Sequence, residues 1–150
     1  IHSPIGNYGY YKSEIENKFL QDQNFFVARL SYVFGSDKFS NYLLNNREEN
    51  KVIYNGFKRR AVTIKNVVQG LYRYNEHYKS INFCGPKLVS RVDIAKMYKK
   101  NLFHDLILNY EDAPNSFWSS RAKTINMGSN YFDSVLGRPA ENINEYLKEI

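Results

Sequence analysis

Asn24-Phe-Phe-Val-Ala-Arg-Leu-Ser-Tyr-Val-Phe34 is the run that decides how this chain folds. It is rich in β-branched and aromatic residues and stops at Gly35. An apolar run of this kind, following a helix of a dozen residues, predicts a buried strand of a parallel sheet. Arg29 interrupts it. A charge in a core strand must be paired or sit where the strand approaches a ligand, so Arg29 is either a structural ion-pair partner or near a site.

The helix upstream, Tyr8 to about Leu20, opens with Tyr8-Gly-Tyr-Tyr-Lys12. One helical turn separates Tyr8 from Lys12, which stacks a phenol and an ammonium on one face. A free phenol titrates near pH 10, and a neighbouring cation favours the phenolate, so such a pair suits proton transfer near neutral pH. Neither Tyr10 nor Tyr11 has this partner, because Glu14 and Ile15 stand four residues on. With 13 Tyr and many Lys in the chain, the same spacing also arises by chance on an ordinary helix surface. Only its context can separate the two readings.

Downstream, helices and strands alternate. Phe39 to about Asn46 reads as a short helix and Lys51-Val-Ile-Tyr54 as a strand ending in an Asn55-Gly56 turn. Phe57-Lys-Arg-Arg-Ala-Val-Thr-Ile64 is basic and then β-prone, and runs into a helix from Lys65 to about Tyr78 whose Val67, Val68, Leu71 and Tyr72 share a face. Arg59 and Arg60 suit a phosphate, or a solvated strand entry. Ser80 to Cys84 is a strand closed by Gly85-Pro86. Ser90 caps a helix to about Lys100, with Asp93 completing a capping-box pattern and Val92, Ala95 and Met97 or Tyr98 facing the core. Leu106 to Tyr110 is a further strand, Pro114 to Trp118 a loop, and helices are expected from about Ile125 to Leu136 and from Asn142 to Lys148. The alternation indicates an α/β fold.

Composition narrows the class. The 150 residues are one domain's worth of chain or a piece of a larger one, and 43% hydrophobic with 16% aromatic content supplies a packed core, which sets disorder aside. No apolar run approaches a membrane span, and Ile1-His2-Ser3-Pro4 lack the regions of a signal peptide, so a cytoplasmic protein without a membrane partner is expected. A single cysteine, Cys84, excludes an internal disulfide framework and reads as a buried strand residue. His2, His77 and His104 are scattered without metal-ligand spacing, so no metal is expected. The net charge of +6 favours anions, yet Lys and Arg are spread along the chain. A basic soluble protein is the plainer account than a nucleic-acid binder, and nucleotide phosphates also suit that balance.

The order of these segments resembles the C-terminal half of the extended short-chain dehydrogenase/reductase superfamily, the NAD-dependent epimerases, dehydratases and reductases of nucleotide sugars. Within it the dTDP-4-dehydrorhamnose reductase branch is the most similar. Ser3-Pro-Ile-Gly-Asn-Tyr-Gly-Tyr-Tyr-Lys-Ser-Glu14 resembles that family's Pro-x-x-x-Tyr-Gly-x-x-Lys-x-x-x-Glu stretch. Phe26-Val-Ala-Arg-Leu-Ser-Tyr-Val-Phe-Gly35 is similar to its Leu-Arg-x-x-x-Val-Tyr-Gly strand. Arg59-Arg-Ala-Val-Thr-Ile-Lys-Asn-Val67 falls where the family has an Arg, a strand and Val-Asp-Asp, with Lys65-Asn66 in place of the acidic pair. Ile81-Asn-Phe-Cys-Gly85, Val89-Ser-Arg-Val-Asp-Ile-Ala95, Ser119-Ser-Arg-Ala-Lys123 and Leu136-Gly-Arg-Pro139 follow in the family's order.

The resemblance implies the C-terminal part of a Rossmann-like NAD(P)-binding fold plus the smaller substrate-binding subdomain. It assigns Tyr8 as acid–base residue and Lys12 as its electrostatic partner, both also touching the cofactor, NAD or NADP. Arg29, Arg59, Arg60 and Arg121 are implied on the side of the nucleotide-sugar substrate. A homodimer is compatible with the family. The Gly-rich turn that would hold the cofactor's pyrophosphate has no counterpart, since no two of the 8 Gly form a Gly-x-Gly. The dinucleotide-binding N-terminal half is therefore expected to lie outside residues 1–150, in a protein about twice as long. The function implied is hydride transfer at a sugar carbon by a reductase, epimerase or dehydratase. The alternative is a non-catalytic regulatory or binding subunit that kept the fold.

Overall fold

The apolar run of residues 24–34 serves two sheets. In the computed structural model, which describes residues 6–35, 38–45, 49–74, 77–119, 121–128 and 130–149, helix α1 (Gly6–Leu20) leads into β1 (Val27–Leu30), and after Ser31 and Tyr32 the chain continues as β2 (Val33–Phe34). The break is a change of partner. Ser31 N–H donates to the Phe83 carbonyl at 2.9 Å, closing one ladder, and Val62 N–H donates to the Tyr32 carbonyl at 2.9 Å, opening the next. The single strand expected from the apolarity of residues 24–34 is thus two, because composition does not reveal which neighbour a strand pairs with. Gly35 ends β2 at φ +130°, where a side chain would also crowd Ile64 Cγ2 and the Tyr146 hydroxyl at 3.1 Å.

The remaining elements follow as α2 (Lys38–Leu44), β3 (Lys51–Tyr54), β4 (Lys58–Arg59), β5 (Val62–Thr63), α3 (Ile64–Tyr72), β6 (Ser80–Phe83), β7 (Val89–Ser90) and α4 (Arg91–Asn101). After these come β8 (Leu108–Glu111), α5 (Asn115–Trp118), β9 (Thr124–Ile125), α6 (Asn130–Leu136) and α7 (Ile143–Glu149). The pairing is mostly parallel. β1 lies along β6 with Arg29 opposite Asn82, β2 along β5 and β3 along β8. β4 sits between an antiparallel β7 and a parallel β9. The α/β class expected from the alternation is the one found.

Two apolar clusters hold these layers. Phe34, Leu43, Ile53, Ile94, Tyr98, Leu106 and Leu147 belong to one. Val62, Val67, Ile81, Phe83, Phe132 and Leu136 form the other, which packs β5 and β6 against α3 and α6. Each such side chain contributes ~1.5–3 kcal/mol when fully buried. Gly85 lets the end of β6 approach the β4–β5 connection, since a Cβ there would stand 1.8 Å from the Ala61 carbonyl oxygen.

Local signals were reliable where side chains act on the adjacent backbone. Both arms of the α4 capping box form: Ser90 Oγ accepts from Asp93 N–H, and Asp93 accepts from Ser90 N–H at 2.8 Å. Cys84 is buried, as expected. Other expectations need correction. Helix α3 stops at Tyr72 and not near Tyr78, and of its apolar residues Val67 is buried while Val68, Leu71 and Tyr72 are exposed, Tyr72 by 90%. The Thr63 cap sets the helix so that Asn66, Val67 and Gly70 turn inward. Residues Asn115–Trp118 form a short helix where a loop was expected, and residues 124–125 extend along β4, delaying α6 to Asn130. The expected end of α2 at Asn46, residues 1–5 of the first motif and Ser120 lie outside the described residues.

Phe83 is fully buried, with its ring centroid 4.6 Å from that of Phe132. Phe83→Ala should lower the unfolding free energy by ~3–5 kcal/mol in a denaturant titration. A loss under about 1 kcal/mol would contradict the assignment of this core.

Candidate active site

Helix α1 carries the site, and two of its stripes define it. Gly9, Ser13, Glu16 and Leu20, spaced four, three and four residues apart, are its half-buried positions. Only Leu20 among these is a large apolar residue, and α1 accordingly buries no residue fully. A polar linkage takes over the anchoring. Arg29 Nε donates to Glu16 Oε1 at 2.7 Å and its Nη2 reaches the same oxygen, while Nη1 donates to Asn82 Oδ1 at 3.1 Å. Asn82 Nδ2 in turn donates to the Gly128 carbonyl at 3.2 Å. The guanidinium therefore joins α1, β1 and β6, and through Asn82 the segment before α6. Of the two sequence readings of Arg29, the ion pair is present, and Arg29 also borders the cleft described next.

The second stripe, Tyr8, Lys12, Ile15 and Phe19, lines a cleft of about 720 Å3 whose other wall is Phe25 to Leu30. That size falls in the range of about 300–1,000 Å3 usual for ligand sites. Lys12 Nζ stands 5.6 Å from the centroid of the Tyr8 ring, within reach of a cation–π attraction. Tyr8 is 75% exposed, so its hydroxyl is open to a ligand entering the cleft. Among the described residues β1 pairs with β6 alone. Its other edge faces the cleft with backbone donors and acceptors that a parallel sheet normally shares with a further strand.

The structure does not bring the remaining arginines to this cleft. Arg59 is buried, donates to the carbonyls of Lys58 (2.7 Å), Lys123 (3.2 Å) and Ala122 (2.7 Å), and lies 4.0 Å from the Phe57 ring centroid. Burial, and then the nearby Arg91 charge, push its pKa down. Arg60 donates to the carbonyls of Met127 (2.9 Å) and Pro86 (2.6 Å). Arg121 is exposed but bonds the Phe117 carbonyl at 3.1 Å and lies 4.7 Å from its ring centroid. These guanidinium groups fasten strands and loops around β4 and α5. A basic pair reads the same in sequence whether its N–H groups meet phosphate or main-chain carbonyls.

Two features escaped the sequence reading. Glu16 and Asn82 complete the Arg29 linkage, and the signal for Glu16 was available, since a charge inside an apolar strand calls for an opposite charge on a neighbouring element. A second groove, about 240 Å3, gathers the rings of Phe39, Tyr42, Tyr54 and Phe117 beside Lys38 and Arg91. Its residues come from four elements, so no local motif announces it. Among the described residues no group of three or more His, Cys, Asp or Glu could hold a metal ion, and no helix is long and apolar enough to cross a membrane. Burial pushes the Cys84 thiol pKa up, which leaves it a core residue.

No family model matches the sequence, and no curated protein does. Solved structures do match. MoeE5 in complex with UDP-glucuronic acid and NAD aligns with a TM-score of 0.74 at 19% identity over 97% of this chain and 54% of its own. UDP-glucuronic acid 4-epimerase from Bacillus cereus, with UDP-glucuronic acid and NAD, aligns at 0.72 and 17% identity over 97% and 51%. dTDP-glucose 4,6-dehydratase from Bacillus anthracis, with NAD, aligns at 0.73 and 14% identity over 98% and 51%. The present chain thus spans about half the length of these proteins, and its fold is that of the C-terminal half of a Rossmann-like, NAD-binding epimerase/dehydratase chain.

If the Arg29 linkage places α1, Glu16→Gln should weaken it by removing one charge at constant shape. Hydrogen exchange of the α1 amides should rise about tenfold, equivalent to ~1.4 kcal/mol, with β3 and β8 unchanged. Unaltered exchange in α1 would show that other contacts hold the helix.

Proposed function

We propose that this chain is the substrate-side half of an NAD(P)-dependent enzyme acting on a nucleotide-activated sugar, with Tyr8 as the acid–base residue. The observation that carries the proposal is the placement of Tyr8 and Lys12 together on the open stripe of α1, facing a ligand-sized cleft. The motif resemblance and the fold support it. So do the names of the matched proteins, which were solved with NAD and, for two of them, a UDP-sugar.

The residues present fit a nicotinamide dinucleotide at the cleft. Lys12 offers an ammonium to ribose hydroxyls, Tyr8 an exposed phenol, and the unshared edge of β1 leaves room for the part of the fold that would hold the pyrophosphate. When bound, that cofactor supplies hydride exchange with a sugar carbon. The chain's own part is the proton. As negative charge grows on the sugar oxygen, the Tyr8 hydroxyl donates to it, and in the reverse direction the phenolate accepts from the sugar hydroxyl. Lys12, 5.6 Å from the Tyr8 ring centroid, presents its positive charge to the same ligand from the same stripe of α1. Glu16 and Arg29 position both residues by fixing the helix.

Reductases, epimerases and dehydratases share this proton transfer. Reduction, the finer reading, rests on the motif resemblance to the dTDP-4-dehydrorhamnose reductase branch. Arg121, the exposed member of its group, is the arginine best able to meet the substrate's diphosphate, and the rings and cations of the Tyr54–Phe117 groove suit a nucleobase and its phosphate.

In the full-length protein Tyr8→Phe should lower kcat by about 10²–10⁴-fold with little change in nucleotide-sugar affinity, as read by steady-state turnover and by calorimetry. Full turnover by this variant would remove Tyr8 from the chemistry and leave the chain a binding subunit.

A further inference from the structure

A groove of about 430 Å3 beside α4 shares no residue with the α1–β1 cleft. Its floor is apolar: Leu88 is 39% exposed, and Val89 and Met97 are half-buried on the edge of the larger core cluster. Its rim is basic, made of Lys87, Lys96 and Lys100, all exposed. The acid lining the groove, Asp93, is already engaged, since one carboxylate oxygen accepts from both the N–H and the hydroxyl of Ser90 at 2.8 and 2.7 Å. Among the described residues none of the three lysines is ion-paired. Lys100 lies in the last turn of α4, where the helix dipole favours a cation. That account does not extend to Lys87, outside the helix, or to Lys96, five positions before the helix end, whose ammonium lies 5.4 Å from the Tyr110 ring centroid and carries no ion pair.

An apolar floor favours an apolar side chain, and the excess of three ammonium groups over one carboxylate around it favours added carboxylates. Lys96 and Lys100 stand one helical turn apart, which matches carboxylates spaced one turn apart on a second helix. We infer that this groove docks an acidic amphipathic helix of a partner protein, seating an apolar residue on Leu88, Val89 and Met97 while its Asp or Glu side chains meet Lys87, Lys96 and Lys100. The lysines steer the encounter and the floor supplies the burial.

The test uses the full-length protein and a fluorescein-labelled peptide of about 18 residues, long enough to form a helix, with Leu at i, i+3, i+4 and i+7 and Glu flanking them. Fluorescence anisotropy should show saturable binding that weakens at least tenfold when salt rises from low to several times physiological strength. Amide shifts in the labelled protein should cluster between residues 87 and 100. Lys96→Glu with Lys100→Glu should lower affinity at least tenfold, and the paired Lys→Gln changes, which cannot introduce new repulsion, by a smaller factor in the same direction. A thermal melt checks that the variants stay folded. The same peptide with Lys in place of Glu should not bind. The proposal is overturned if neither peptide binds, if the two bind alike, or if the Lys→Gln protein binds as the wild type does. Lysine-dependent co-sedimentation with phosphatidylglycerol vesicles, without peptide binding, would likewise overturn it in favour of a membrane surface.

Discussion

The ion pair between Glu16 and Arg29 is the constraint on which the candidate site depends. Helices normally dock by burying a continuous apolar stripe, but the face that α1 turns toward β1 is Gly9, Ser13, Glu16 and Leu20. Full burial therefore contributes nothing to its placement, and beside the contact of the Phe19 and Phe25 rings, 4.7 Å apart, a charge pair that is 33% exposed on the Arg29 side and 13% on the Glu16 side anchors it. Such a pair is worth more than one on an open surface, where screening and side-chain entropy cancel most of the attraction. It is directional as well. Fixing Glu16 fixes the rotation of the helix, and this brings Tyr8 and Lys12, eight and four residues earlier, onto the cleft side.

The same geometry explains why the apolar residues of α1 face outward. Tyr8, Ile15 and Phe19 stand on the cleft, Phe25 and Leu30 are exposed on the opposite wall, and β1 presents an unshared edge between them. A two-stranded parallel sheet with one side uncovered is uncommon in folded proteins, where parallel strands are covered on both faces and continued at their edges. Together with a length about half that of the structurally similar proteins, the open edge supports the proposal that further strands of the same sheet, and with them the cofactor's main binding surface, come from outside these residues.

Much of the fold was legible because its signals are local. The Ser90–Asp93 capping box, the Asn55-Gly56 turn after β3 and the one-turn spacing of Tyr8 and Lys12 each involve residues within a few positions, and each reads correctly from sequence. What was not legible depends on partners distant in the chain. The division of residues 24–34 between β6 and β5 is settled at Phe83 and Val62. The direction of α3 is set by Asn66, whose side chain bonds Thr63 and receives the Glu141 N–H at 3.2 Å, so Val68 and Leu71 turn to solvent against their apolar character. Arg59 and Arg60 looked like an anion site because sequence shows the charge of a guanidinium and not the carbonyls from residues 86, 122, 123 and 127 that engage it.

The proposed function makes the α1 cleft a half-site, with Tyr8 and Lys12 moving the proton and the cofactor's cradle supplied by residues beyond this chain. That division is tested most directly by calorimetric titration of NAD(H) into the isolated 150 residues and, in parallel, into the full-length protein. The isolated chain should show no saturable binding at micromolar cofactor while the full-length protein does. A submicromolar Kd for the isolated chain would contradict the account, because the cradle would then have to lie within these residues.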